Sequence, residues 1–145
     1  MKNNNEIQIF LVDDDALFLK CLELDFILQT DFIIKTFSSG ELCLENLSQN
    51  PQLIVLDYEL DSIKKNAMNG LETLDKIKTL LPDLPVLIFS SQDKIEVAMN
   101  CLEHKASDYV IKGGNAFFRL KDKINNLVIP EKIQKNLNWY TERIF

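Results

Sequence analysis

Short apolar runs alternate with stretches of helical periodicity along most of the chain. The apolar runs are rich in branched side chains, which is typical of strands that are covered on both faces. They predict strands at 7–12, 32–37, 53–57, 85–90 and 107–111. The segments between and after them predict helices at 15–29, 39–49, 69–81, 93–104 and 116–128. This strict alternation of strand and helix indicates an α/β fold with a parallel sheet and right-handed crossovers.

Local signals support several of the predicted helices. The clearest apolar stripe at helical spacing belongs to the fourth helix and consists of Ile95, Ala98, Met99 and Leu102. Ser38 and Glu41 have the spacing of a capping box at the start of the second helix. Asn115 is in position to cap the fifth helix.

Two segments do not fit a bare domain of strand–helix units. The loop over 58–66 is long and charged. The tail after Pro130 carries a further stripe at helical spacing, which consists of Ile133, Leu137, Tyr140 and Ile144. Because a proline disfavours a helical conformation in the residue before it, Pro130 argues against a simple continuation of the fifth helix. We therefore predict one domain over residues 5–128 and a C-terminal helical extension over 129–145.

Carboxylates follow two of the predicted strands. The third strand ends on Asp57, and the first strand ends on Asp13, Asp14 and Asp15. Since chemistry in parallel sheets collects at the carboxyl ends of the strands, we expect these acids to share one edge. Clustered carboxylates repel one another unless a proton or a cation joins them, and an all-oxygen set favours Mg²⁺. The plainer alternative is a solvated turn in which an aspartate caps the following helix.

Composition narrows the range of functions. The chain has 145 residues and a net charge of −6, which argues against a direct nucleic-acid interface because such binding needs a basic face. No apolar run approaches the roughly 20 residues that span a bilayer. No apolar segment follows the first residues either, so we expect no secretory signal, no membrane contact and a cytoplasmic location.

The cysteines and the histidine also limit the chemistry. Cys21, Cys43 and Cys101 lie inside apolar helical patterns, so we predict buried, reduced thiols. His104 is the only histidine, which excludes a site built from several histidines, and we predict that it lies on the surface late in a helix.

Two further polar residues follow strands at the same predicted edge. Ser90 ends the fourth strand and offers a hydroxyl donor, and Lys112 follows the fifth strand and offers an ammonium group. Either residue alone is most often merely solvated. An acid pair, an aspartate, a serine and a lysine after successive strands in this order rarely arise by chance. Together they predict a site for phosphoryl chemistry.

Five ordered motifs carry a resemblance to a known family. They are Phe10–Asp14, Leu53–Asp57, Met68–Leu71, Val86–Ser91 and Ala106–Lys112. In these motifs the chain resembles the receiver domain of two-component response regulators over residues 5–128. The resemblance implies a flavodoxin-like, doubly wound five-stranded sheet of strand order 2-1-3-4-5 with helices on both faces.

The resemblance implies a phosphoryl-accepting switch rather than an enzyme with a separate substrate. Asp57 would accept a phosphoryl group from a sensor histidine kinase or a phosphotransfer protein, and the domain would catalyse only its own phosphorylation and dephosphorylation. Asp13, Asp14, Asp57 and the backbone carbonyl of Glu59 would hold Mg²⁺.

The resemblance also assigns a switch. Ser90 and Lys112 would contact the phosphoryl group, and Tyr109 would turn inward as the Ser90 hydroxyl moves. A half-buried strand aromatic is the plainer alternative for Tyr109. Phosphorylation would then change the face of the fourth helix and fifth strand, which meets an unknown output partner or a second copy in a homodimer.

Three departures from the family pattern leave alternatives open. The interval from Asp57 to Gly70 is longer than usual, Gly113 replaces a proline after Lys112, and Glu59 and Gln92 occupy positions that tune phosphoryl lifetime. One alternative is a receiver-like interaction module that no longer switches. Another is a phosphohydrolase in which the Asp–x–Asp that begins at residue 13 resembles the motif of haloacid dehalogenase-type phosphatases.

Overall fold

The computed structural model describes residues 6–129, and all structural statements below concern this part of the chain. The strands are β1 (Gln8–Val12), β2 (Ile33–Phe37), β3 (Leu53–Leu56), β4 (Val86–Ser90) and β5 (Asp108–Ile111). The α-helices are α1 (Ala16–Gln29), α2 (Gly40–Glu45), α3 (Gly70–Leu80), α4 (Ile95–Glu103) and α5 (Ala116–Val128), with a 3₁₀ turn at Leu47–Gln49. The predicted sixth helix of the tail lies outside the described residues.

The strands form one parallel sheet in the order β2-β1-β3-β4-β5. This confirms the doubly wound topology expected from the sequence. The order reverses direction at β1, so that β1 and β3 are neighbours and Val12 stands opposite Leu56. The residues that follow these two, Asp13 and Asp57, therefore leave the sheet side by side.

The sheet is covered by a hydrophobic core on each face. Alternation along β1 sends Phe10 and Val12 into the cluster that packs under α2, α3 and α4. Ile9 and Leu11 enter the second cluster, which packs under α1 and α5. Because both faces are buried, β1, β3 and β4 read as continuous apolar runs, as predicted.

The face that α4 turns to the core is not the one expected from its clearest stripe. Ile95, Met99 and Leu102 are 70%, 55% and 45% exposed, whereas Cys101 is fully buried. Apolar residues occupy more than one side of this short helix, so periodicity alone could not identify the packed side. The exposed stripe instead forms an apolar surface beside β5.

Two predicted caps are corrected by the structure. Ser39, not Ser38, caps α2, and its hydroxyl accepts from Leu42 N at 3.1 Å. The Glu41 carboxylate turns away from the helix and accepts from Met68 N at 2.6 Å. Asn115 stands at the start of α5, but its side chain makes no capping hydrogen bond there.

The cysteines agree with the prediction in two of three cases. Cys43 and Cys101 are buried, and burial raises the pKa of these thiols to about 12 and about 11. Cys21 is exposed instead, because it lies on the outer side of α1. His104 ends α4 at the surface, as predicted, and its Nδ1 lies 2.7 Å from Asp75 Oδ1. Within residues 6–129 no helix is long and apolar enough to cross a bilayer.

Candidate functional site

The acids after β1 and β3 meet at the carboxyl edge of the sheet. Asp57 N donates to Val12 O at 3.0 Å, and Asp13 N donates to Phe37 O at 3.1 Å, so the sheet ladder fixes both residues. Their side chains are almost buried, with Asp13 at 4% and Asp57 at 6% exposure. Asp13, Asp14 and Asp57 each offer an oxygen atom within 4.8 Å of the others. The three carboxylates therefore form one cluster, as the sequence predicted.

The third acid of the aspartate run has a structural role. The Asp15 carboxylate accepts from Phe18 N at 3.0 Å and caps α1. Asp15 N in turn donates to Asp13 Oδ1 at 2.9 Å. The helix-cap alternative is thus correct for Asp15, while Asp13 and Asp14 belong to the acidic cluster.

Lys112 brings a cation to the cluster from the end of β5. Its Nζ lies 2.8 Å from Asp13 Oδ2 and 3.6 Å from Asp57 Oδ2. The ammonium group also lies 4.1 Å from the centre of the Phe18 ring. Lys112 N donates to Ser90 O at 2.8 Å, which ties the end of β5 to the end of β4. The predicted lysine is in place, but in this state it is closer to Asp13 than to Asp57.

The burial of Asp57 has an electrostatic consequence. Burial, reinforced by the Asp13 carboxylate, raises the pKa of Asp57 from 3.8 to about 7, while Lys112 and the backbone N–H of Glu59 lower it. Ionisation of Asp57 is therefore costly unless a further cation enters. The oxygen-only donor set fits Mg²⁺, a hard ion that prefers carboxylates and water. Asp13, Asp14 and Asp57 are the side chains that could hold it.

Ser90 and Tyr109 flank the site on the β4 and β5 side. Ser90 is fully buried at the end of β4, and its Oγ accepts from Gln92 N at 3.2 Å. The half-buried Tyr109 donates its hydroxyl to Gln92 O at 2.8 Å. Burial raises the pKa of Tyr109, and the nearby Ser90 side chain opposes this rise. Tyr109 is therefore half-buried, as the plainer alternative expects. It is also hydrogen-bonded to the segment that follows Ser90.

Glu59 and Gln92 are joined across the mouth of the site. Gln92 Nε2 donates to Glu59 Oε1, which links the segment after β3 to the segment after β4. The backbone N–H of Glu59 faces the Asp57 carboxylate. Its backbone carbonyl remains a predicted metal ligand.

Sequence reasoning missed three contacts of this site. Ser62 Oγ donates to Asp14 Oδ2 at 2.5 Å, and Ile63 N donates to the same oxygen at 3.3 Å. The third is the contact of Phe18 with Lys112. The unusual length of the loop after β3 was the available signal for the first two. Nothing in the local pattern of α1 distinguished Phe18 from an ordinary core residue.

The family follows from a comparison with known proteins. The sequence model of the response regulator receiver domain matches residues 9–125. The chain belongs to this family. The receiver domain shares its fold with the BeF₃-activated receiver domain of DrrB from Thermotoga maritima, at a TM-score of 0.74 and 26% identity. That match covers 86% of this chain and 99% of the other.

Curated relatives of this receiver domain are much longer proteins. A protein-glutamate methylesterase/protein-glutamine glutaminase of Treponema pallidum is 37% identical over 116 residues, which cover 77% of this chain and 28% of that protein. The transcriptional regulatory protein ZraR of Klebsiella oxytoca is 32% identical over 111 residues, which cover 76% of this chain and 24% of that protein. The chain thus spans only about a quarter of the length of these relatives.

Proposed function

We propose that this receiver domain is a phosphoryl-accepting switch with Asp57 as the acceptor. An Asp57 carboxylate oxygen attacks the phosphorus of a phosphohistidine on a sensor histidine kinase or a phosphotransfer protein. A P–O bond forms, the P–N bond breaks, and the released imidazole takes a proton from solvent. Mg²⁺ at the acidic cluster would neutralise the phosphoryl oxygens during this transfer.

One observation carries the proposal, namely the burial of Asp57 within reach of the other groups. Asp57 lies in one cluster with Asp13 and Asp14, and Lys112 Nζ lies 3.6 Å from its carboxylate. A structural aspartate at a strand end would be solvated or would cap a helix, as Asp15 does. Burying an acid beside two other acids lowers the free energy of unfolding. Because such a cost is typical of functional sites, it favours a functional role for Asp57.

The remaining side chains have separate tasks in the proposed switch. Lys112 balances the charge of the acyl phosphate, and Ser90 donates its hydroxyl to a phosphoryl oxygen. To make this hydrogen bond, the Ser90 hydroxyl would move toward the phosphoryl group. The movement would alter the interaction of Ser90 with Tyr109, whose hydroxyl donates to Gln92 O. The added charge, roughly −1.5 to −2, thereby biases the arrangement of β4, α4 and β5.

The exposed apolar stripe of α4 supports an output surface there. Ile95, Met99 and Leu102 on α4 and Ile111 on β5 are all exposed large apolar side chains. Apolar surface of this kind marks contact sites more often than scattered single residues do. We infer that this face binds an output partner or a second copy of the chain.

A receiver-like module that does not switch is the second candidate. It is favoured by the long interval from Asp57 to Gly70 and by Gly113, which has a φ of +114° and stands where the family pattern has a proline. Both candidates share the fold and differ in phosphoryl uptake.

Phosphoryl uptake can be measured directly by intact-protein mass spectrometry. The full chain is incubated with acetyl phosphate or phosphoramidate and Mg²⁺, and one phosphoryl group should be added. Asp57→Asn and addition of EDTA should each abolish the gain, whereas Asp31→Asn, which changes an exposed acid, should label normally. Absence of labelling in the wild type would favour the non-switching module. Steady turnover of a generic phosphate ester would instead support the phosphohydrolase alternative.

A further inference from the structure

The loop between β3 and α3 is a closed and anchored structure. Gly70 N donates to Tyr58 O at 2.9 Å, which joins the two ends of the loop. Leu60 is 1% exposed and packs into the core under α3. Met68 N donates to the Glu41 carboxylate, which ties the returning limb to α2. A loop with close ends and its own buried anchor is of the Ω type, a class that is frequently functional.

The tip of this loop rests on a single oxygen of the acidic cluster. The Ser62 hydroxyl and the Ile63 N–H both donate to Asp14 Oδ2, at 2.5 Å and 3.3 Å. Both donors reach the same oxygen, and within residues 6–129 no hydrogen bond engages the other oxygen of this carboxylate. Asp14 is only half-buried and, unlike Asp13, makes no ion pair among the described residues. The loop therefore supplies the contacts that hold the Asp14 side chain in one orientation.

We propose that the 58–69 loop positions Asp14 for the metal through Ser62 and Ile63, so that cation binding and loop closure favour each other. The inference rests on the proposed function, because it concerns the same acidic cluster. Ser62 is a positioning residue here, since it acts through Asp14. Groups that hydrogen-bond a ligating carboxylate orient it and set its affinity for the metal.

The coupling must act in both directions. If the closed loop raises the affinity of Asp14 for a divalent cation, the bound cation stabilises the closed loop by the same factor. The surface between α2 and the loop would then report metal occupancy. Competition is the opposite relationship, in which the two donors must leave Asp14 before the cation enters. The two relationships predict effects of opposite sign.

The first experiment measures Mg²⁺ affinity of the full chain by isothermal titration calorimetry. Ser62→Ala should weaken binding about three- to ten-fold, because one orienting hydrogen bond to Asp14 is lost. Ser62→Thr keeps a hydroxyl and should restore most of the affinity. Ser107→Ala removes an exposed serine before β5 and should leave affinity within about two-fold. Unchanged or tighter binding by the Ser62→Ala variant would overturn the proposal.

The second experiment follows hydrogen exchange at the Ile63 amide with and without Mg²⁺. Mg²⁺ should slow this exchange in the wild type, and the slowing should be smaller in the Ser62→Ala variant. Exchange that is unchanged or faster with Mg²⁺ would contradict the coupling. If the wild type binds Mg²⁺ and takes up phosphoryl groups while Ser62→Ala behaves identically, only this inference fails. If the wild type binds no Mg²⁺, the proposed function fails with it.

Discussion

The ammonium nitrogen of Lys112 lies 4.1 Å from the centre of the Phe18 ring. A cation over an aromatic face is attracted by the ring quadrupole. Phe18 is held in turn by the rings of Phe89 and Phe117, each with its centroid 5.8 Å away. The aromatic cluster therefore helps to aim Lys112 between the two buried acids. The backbone directly after the lysine is glycine-specific, because Gly113 has a φ of +114°.

We expect Phe18→Leu to slow labelling of Asp57 by acetyl phosphate. Leucine keeps an apolar side chain at this position but removes the ring and its quadrupole, and the loss should lower the rate about two- to ten-fold. Mg²⁺ affinity should change little, because Phe18 does not contact the acids that could hold the metal. The rate is measured by the time course of mass gain. Phe32→Leu alters a half-buried ring that pairs with Phe26, and it serves as the matched control. Equal rates for both variants would show that the ring does not position Lys112.

The raised pKa of Asp57 predicts how stability depends on pH in metal-free buffer. The folded-state pKa is about 7 and the ordinary value is 3.8, so the folded protein binds this proton more tightly than the unfolded chain does. The contribution of Asp57 to stability is therefore greatest at acid pH, and it is lost as pH rises from about 4 through about 7.

Asp57→Asn should remove this loss. At pH 8 in EDTA, its melting temperature should exceed that of the wild type by about 3–6 °C, and at pH 5 the difference should shrink to about a third of that value. Thermal unfolding followed by circular dichroism measures both values. Asp31→Asn should show no such pH-dependent gain. A gain of equal size at both pH values would mean that ionisation of Asp57 is not its origin.

The parts of the site that depend on sheet geometry could be predicted from the sequence. Asp13 and Asp57 follow neighbouring parallel strands, and the ends of such strands must meet at one edge. Lys112 and Ser90 follow from the same rule. Contacts made by loops or by the outer sides of helices could not be predicted in this way. The Ser62–Asp14 contact depends on the path of the loop, and the burial of Leu60 fixes that path. No local sequence pattern reveals either feature.

Helix existence was likewise easier to predict than helix orientation. The structure has the five helices that the periodicity predicted, but the prediction of which side of α4 packs against the core was wrong. The side of α4 that carries Ile95 and Met99 and the side that carries Cys101 are both apolar. Only the position of the helix over β4 and β5 determines which of the two sides is buried. The same stripe is an exposed surface available to a partner.

Tyr109→Phe should lower stability while leaving phosphoryl uptake nearly unchanged. The hydroxyl of Tyr109 donates to Gln92 O and does not contact the acidic cluster directly, so labelling of Asp57 should stay within about two-fold. Loss of this hydrogen bond should lower the free energy of unfolding by about 1 kcal/mol. Mass spectrometry and urea denaturation give the two quantities. A strong loss of labelling would indicate that Tyr109 takes part in the transfer itself.

Gly70→Ala should disturb the site through the backbone. A Cβ atom at Gly70 would lie 2.4 Å from Asp57 O and 2.6 Å from Tyr58 Cα, and rigid backbone cannot yield as a flexible side chain can. We expect the free energy of unfolding to fall by about 1–3 kcal/mol, as for other overpacked sites. Because the displaced atoms belong to Asp57 and to the start of the loop, Mg²⁺ affinity should fall as well. Urea denaturation and calorimetry measure both effects, and Lys76→Ala, an exposed change in the same helix, should leave both nearly unchanged. A stable Gly70→Ala variant with normal Mg²⁺ affinity would mean that the end of β3 can shift without cost to the site.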